Sequence, residues 1–385
     1  MTMTAHTLKC LLSALLVGFV TLLQACGGSS DTTTPMPLPE PDTRPFALGF
    51  TPWPYEASTT AVNFVYTEAA SRGDFIAHHL DGGIPWDEAL NGTPYSSNLE
   101  AELNTRLNNT PAGMRDYLAL NPLNGGRDGL AEYWGNAPNG ALPPPWDTRS
   151  INDPNVIAAY TNYAADLIER FGPDYFNLGI EASELAVNDS AAYDDLVEFT
   201  AAVSAELRTR FPNVQLMISV ALKSPSSSDA ATIRAELPRL VEHIDVLGIS
   251  VYPYIFFEHA DRGDPANLPT DWLSQAASLA GGKPIAVVET GWAAETVTIP
   301  EFAVDIASDA AKQAAYLDAL FDAAETLDAR FIVWFFLADY DTLWNQTLQQ
   351  DPVARIWRDT GLYDENLNPR PALDRWTSKL GLPLE

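Results

Sequence analysis

Cysteine is nearly absent. The 385 residues hold two, Cys10 and Cys26, both within the first 26 positions. Everything that follows is therefore without a disulfide or a thiolate metal site. A chain of this length buries enough apolar surface to fold without such staples. Positive charge is scarce as well: 22 Lys and Arg stand against 51 Asp and Glu, a formal net charge of −29. Such a surface repels phosphate backbones, which excludes a nucleic-acid partner, and it disfavours strongly anionic polymers. No Gly-rich phosphate loop follows the first strand-like segment, which argues against an open dinucleotide-binding sheet. Aromatic residues, by contrast, are plentiful, with 10 Trp and 14 Tyr. Flat rings suit the C–H faces of sugars, although most rings in any protein pack in its core.

The N-terminus carries export signals. Lys9 precedes an uncharged apolar run from Leu11 to Leu23, and Leu23-Gln24-Ala25-Cys26 follows. A basic start, a short apolar stretch and a small residue before the cut predict a secretory leader over residues 1–25. The run is shorter than the roughly 20 residues that span a bilayer. The Leu-x-Ala-Cys ending resembles the bacterial lipobox. That resemblance implies cleavage before Cys26 and acylation of its thiol, with the lipid as the only membrane attachment. Gly27 fits sorting to the outer membrane of a Gram-negative cell, on its periplasmic or surface side. Residues 26–45 are rich in Ser, Thr and Pro and predict a flexible tether. Residues 46–385 remain as one domain.

That domain alternates strand and helix. Eight short apolar runs predict strands: Phe46–Phe50, Phe75–His79, Tyr117–Leu120, Tyr175–Glu181, Val214–Ala221, Val246–Tyr252, Ile285–Glu289 and Phe331–Phe336. Several are nearly continuous in Val, Ile, Leu and Phe, as for parallel strands covered on both faces. Amphipathic helices lie between them. One starts at Asp153-Pro154 with Val156, Ile157, Tyr160, Ala164, Leu167 and Ile168 on its apolar face. Eight such units predict a single-domain (β/α)₈ TIM barrel. A long Gly-, Pro- and Asn-rich segment from Asn121 to Ile151 predicts an extended loop after the third strand.

Barrel enzymes carry their chemistry at the C-terminal ends of the strands. The fourth run ends in Glu181 and the seventh in Glu289, two carboxylates facing one cavity. Such a pair suits glycoside hydrolysis: one group protonates the leaving oxygen, and the other attacks the anomeric carbon or activates water. Glu184, three residues further on, is a rival proton donor. His79, Asp81 and Asn121 end strands two and three and are candidate ligands for sugar hydroxyls. Trp86 and Trp292 follow strand ends and are candidate stacking faces. His78, His79 and Asp81 also raise a metal site, but adjacent residues on a strand point opposite ways. No metal and no cofactor are expected.

These segments resemble clan A of the glycoside hydrolases, whose acid/base ends strand four and whose nucleophile ends strand seven. Asp245 to Tyr254, DVLGISVYPY, resembles the sixth-strand motif of family 53, the endo-β-1,4-galactanases. Glu289-Thr290-Gly291-Trp292 resembles nucleophile segments across the clan, and residues 361–373 resemble its closing segment. The resemblance is strongest from Val214 onward. It implies that Tyr252 orients the nucleophile and that Trp334 floors the site. Two positions depart from the pattern: Ile180 stands where the clan usually has Asn, and strand two lacks the usual Arg.

The sequence thus reads as a monomeric glycosidase acting on a neutral or weakly charged, β-linked poly- or oligosaccharide. Glu181 is the acid/base and Glu289 the nucleophile of a retaining double displacement. The alternative is a non-catalytic glycan-binding surface lipoprotein on a degenerate barrel.

Overall fold

The computed structural model describes residues 42–385. The leader, Cys26 and the tether through residue 41 lie outside the described residues. Arg44, counted above with the tether, belongs to the domain. It is buried, pairs with Asp74 at 2.7 Å and donates to the Phe46 carbonyl. Its backbone bonds to Pro383 and Glu385. A buried guanidinium with these partners is fixed structure, so the domain begins before residue 46.

Eight parallel strands close a barrel. They are β1 (Ala47–Thr51), β2 (Phe75–Leu80), β3 (Arg115–Leu120), β4 (Tyr175–Asn177), β5 (Gln215–Ala221), β6 (Val246–Val251), β7 (Ile285–Thr290) and, after the small β8 (Val297–Ile299) and β9 (Val304–Ile306), the closing strand β10 (Phe331–Phe336). Around the barrel the order is β1-β10-β7-β6-β5-β4-β3-β2. This is the single-domain (β/α)₈ fold that the alternation predicts. Inside, the Phe331 ring meets Phe75, Tyr117 and Tyr175 at 5.1, 5.5 and 4.9 Å between centroids. Large rings thus fill the barrel toward the N-terminal ends of its strands, and the chemistry of such barrels sits at the C-terminal mouth.

The helices form where the sequence signals them. Asp153 caps Pro154–Phe171 by accepting from Asn155 N at 2.8 Å, and proline opens the first turn. Gly172, at φ 60°, ends it in the left-handed conformation that glycine adopts without strain. Val156, Tyr160, Ala164, Leu167 and Ile168 are buried against the barrel.

Two features differ from the sequence reading. The antiparallel β8–β9 hairpin between β7 and β10 was not expected; strands of three residues are too short to show an alternation. The fourth strand stops at Asn177, four residues before Glu181. The long loop from Asn121 is folded back on itself and onto the loop after β2. Ile84 N and Trp134 N bond to Glu132 O and Ile84 O. Gly83 makes this approach possible: at φ 106°, a Cβ there would stand 2.5 Å from Glu132 O. The stitching brings Arg127 of one loop beside Asp81 of the other.

Candidate active site

Glu181 reaches the barrel mouth on a strand that has ended. Asn177 stops β4 by turning its side chain inward, accepting from Gly179 N at 3.0 Å and donating to Tyr117 Oη at 2.8 Å. The next residues hold to β5 through single bonds, Leu178 N to Met217 O and Ser219 N to Gly179 O. Ile180 drops into the apolar barrel interior and is 2% exposed. That burial is the physical reason an apolar residue stands there. Glu181 then adopts φ 50°, a left-handed backbone costly for a side chain with a Cβ. Ser219 secures it from both atoms it offers: its Oγ accepts from Glu181 N at 2.8 Å and its carbonyl from Ala182 N at 2.9 Å.

Glu289 sits within β7, buried to 6% exposure. A register irregularity between Ile249 and Ser250 sets Ser250 of β6 opposite Glu289. From β6 and its end come the donors to both carboxylates. Ser250 Oγ lies 2.8 Å from Glu181 Oε1, and Tyr252 Oη donates to Glu289 Oε1 at 2.8 Å. Burial pushes the Glu289 carboxyl well above the ordinary range, and the Glu181 charge adds to it. The Tyr252 hydrogen bond and the Arg127 charge act the other way. The Glu181 charge is thus among those felt at the buried Glu289 carboxyl.

A polar wall follows on the β2–β3 side. Arg127 Nη2 lies 3.3 Å from Asp81 Oδ2 and 3.6 Å from Glu181 Oε2. Asn121 Nδ2 is 3.3 Å from Asp81 Oδ1, and its own Oδ1 accepts from Leu123 N. Asp81 reaches solvent on one side but is crowded by protein on the others. Burial raises its pKa against the opposing Arg127 and Asn121. His79 packs 5.1 Å from Phe335 and is held neutral, its pKa pushed down to about 3, first by burial and then by Arg106 and Arg127. His78 points away to Thr110 on the outer side, so the two histidines do not converge on one ion.

Three tryptophans are not where the sequence reading put them. Trp86 is fully buried, stacked 5.4 Å from Trp146 with its Nε1 on Ala131 O. Trp292 stacks on Tyr316 at 4.7 Å and donates to Ser308 Oγ. Trp334 is enclosed, with Nε1 donating to Thr360 O. None offers a face to a ligand; position just after a strand does not say toward which layer a ring turns. The rings at the mouth are others. Phe256, 44% exposed, and the half-buried Trp357 line an open cavity together with Glu181, Glu184, Lys223 and Tyr252.

Glu184 lies in that cavity, 2.7 Å from Lys223 Nζ. Burial raises its pKa and Lys223 opposes the rise. Among the described residues, two acidic groups beyond the mouth have oxygens close enough to share a cation: Glu295, Asp339 and Glu365, and Asp339, Asp341 and Asp359. Arginines already occupy them, with Arg370 2.7 Å from Asp339 and Arg355 2.6 Å from Asp359. Arg127, Ser250, Lys223, Phe256 and Trp357 were all missed from sequence. Phe256 alone had a usable signal, four residues past Tyr252.

No family model matches the sequence, and no curated protein matches it. Solved structures do match. An exo-β-1,4-mannosidase, Op5Man5 from Opitutaceae bacterium strain TAV5, superimposes with a TM-score of 0.60 at 16% identity, covering 87% of this chain and 59% of that one. The Ignisphaera aggregans GH53 catalytic domain gives 0.54 at 17%, over 84% and 88% of the two chains. Xylanase 10B from Thermotoga maritima gives 0.55 at 14%, over 87% and 94%. What this chain shares with all three is the closed eight-stranded (β/α)₈ barrel. At these identities the likeness is one of fold, and this chain spans little more than half the mannosidase.

Proposed function

We propose that this protein is a retaining glycoside hydrolase acting on a neutral, β-linked poly- or oligosaccharide. One observation carries the reading: the Glu181 and Glu289 carboxylates are each bonded at 2.8 Å by a hydroxyl from the end of β6, Ser250 Oγ and Tyr252 Oη. Glu289 attacks the anomeric carbon while Glu181 protonates the departing oxygen. The C–O bond to the leaving sugar breaks as the bond to Glu289 forms. Glu181, now ionised, takes a proton from water, and the water oxygen displaces Glu289 with net retention. Glu181 is preferred over Glu184 as donor because its charge is the one felt at Glu289, whereas Glu184 is engaged by Lys223.

The charges around the cleft favour a neutral chain. Asp81, Glu181, Glu184 and Glu289 stand against Arg127 and Lys223, so a polyanion meets more repulsion than attraction. The test is a digestion screen with the purified full chain beside Glu289→Gln. β-Galactan, β-glucans, mannan, xylan and arabinan are offered, and products are read by mass. Fragments released by the parent and absent with the variant support the reading, and equal release by both removes Glu289 as nucleophile.

The second reading, a glycan-binding lipoprotein without turnover, is favoured by the apolar Ile180 immediately before Glu181, where the resemblance leads one to expect Asn. It requires the parent and Glu289→Gln to bind one of these glycans equally and cleave none. We further propose that Cys26 carries a lipid anchoring the protein at the outer membrane. Cys26→Ser is then expected to move it from the membrane fraction to the soluble fraction.

A further inference from the structure

Resting on the hydrolase reading, we infer that the Glu184–Lys223 ion pair and Phe256 form the binding site for the leaving-group sugar, and that this site takes an uncharged pyranose. The argument begins with direction. A proton donor stands beside the oxygen that departs, so the cavity wall beyond the donor, away from the nucleophile, faces the sugar that departs with it. The cavity at the mouth runs that way. Glu181 borders it, and it continues to Glu184 on the segment after Glu181 and to Lys223 on the loop after β5.

The chemistry of the lining sets the class of ligand. Lys223 Nζ gives one of its three protons to Glu184 Oε2 at 2.7 Å. Both side chains remain partly exposed, at 19% and 16%. Glu184 Oε1 receives no hydrogen bond from the described residues. The pair is neutral as a unit yet offers charged donors and acceptors, which is the complement of vicinal hydroxyls. A carboxylated sugar placed there would compete with Glu184 for Lys223 and gain little. Phe256, exposed at the rim, supplies an apolar face for ring C–H groups. The same loops thus hold one group that protonates the leaving oxygen and others that grip the sugar attached to it.

The test compares two kinds of leaving group on the full-length protein. Cellotetraose, xylotetraose, mannotetraose and β-1,4-galactotetraose leave a sugar in this site. The 4-nitrophenyl β-disaccharides of the same sugars leave nitrophenol. Parent, Lys223→Met, Glu184→Gln and Phe256→Ala are assayed on both sets. The expected result is selective: in Lys223→Met and Glu184→Gln the ratio of kcat/KM for the tetrasaccharide to that for the nitrophenyl substrate falls about 10-fold, the scale of one hydrogen bond to a charged group, and in Phe256→Ala it falls less, because an apolar face also meets the nitrophenyl ring. Activity on nitrophenyl substrates reports that the variant has folded. An unchanged ratio in all three variants, or equal loss on both substrates, overturns the inference while leaving the hydrolase reading intact. Absence of turnover by the parent on every substrate overturns the hydrolase reading and this inference with it.

Discussion

The Arg127 guanidinium stands 3.6 Å from the Glu181 carboxylate, although the two residues come from different strand-end segments and Arg127 lies deep in a long loop. It also pairs with Asp81 and lowers the pKa of Glu289. Strand β2 itself carries no arginine. A cation is nevertheless present among the carboxylates, delivered by the loop after β3.

This arrangement fixes the sign of a pH effect. Glu289 is raised by burial and by Glu181 and is lowered by Tyr252 and Arg127. Removing either lowering influence raises it further, and a nucleophile must be ionised. Tyr252→Phe and Arg127→Met should therefore each move the acid limb of kcat/KM on a nitrophenyl glycoside toward higher pH. Acid limbs that stay in place in both variants would refute the assignment of that limb to Glu289.

Glu289 should also cost stability. Its folded-state pKa lies above its unfolded value, so the folded chain binds more protons and stability falls as pH rises through the ordinary carboxyl range. Glu289→Gln should raise the melting temperature at about pH 8, with the gain disappearing near pH 4, below the unfolded pKa. Calorimetry at both values decides it; an equal gain at both would point to packing instead of charge.

Glu181→Ala should separate protonation from attack. On tetrasaccharides the loss should be about 10²–10⁴-fold, the usual worth of general acid catalysis. On a 2,4-dinitrophenyl glycoside, whose leaving group needs no proton, the first step should be largely spared. A burst of dinitrophenol in stopped flow would reveal this, and loss of both activities alike would assign Glu181 another role.

The barrel was readable because its strands are buried on both faces, so apolar runs such as Val246–Val251 stand out between polar segments. Glu181 and Glu289 stand out in the sequence because they close such runs. The end of β4 was not readable: Leu178 and Ile180 continue the apolar pattern, while the termination lies in the Asn177 side chain bonding to its own backbone. Arg127 was not readable either. Its place depends on how two loops stitch together through Gly83 and Glu132, a tertiary fact without local pattern.

The tryptophans supply a test of the corrected lining. Trp86→Ala should destabilise the fold by about 3–5 kcal/mol, because it empties a stacked core pair. Trp357→Ala should instead weaken glycan binding, seen as a higher KM, with a smaller change in denaturation midpoint. The reverse pattern would restore the stacking role to Trp86.

The two glutamates are anchored unequally, and heat should distinguish them. Glu289 is woven into a strand with neighbours on both sides, whereas Glu181 rides a left-handed tip tied down chiefly by Ser219. Warming loosens such a tip before it melts a barrel. Turnover should therefore peak at a temperature below that of unfolding and recover on cooling. The working range of the protein is then set by Ser219 and the few single bonds that hold residues 178–182 to β5, so strengthening that tip would extend it without altering the core.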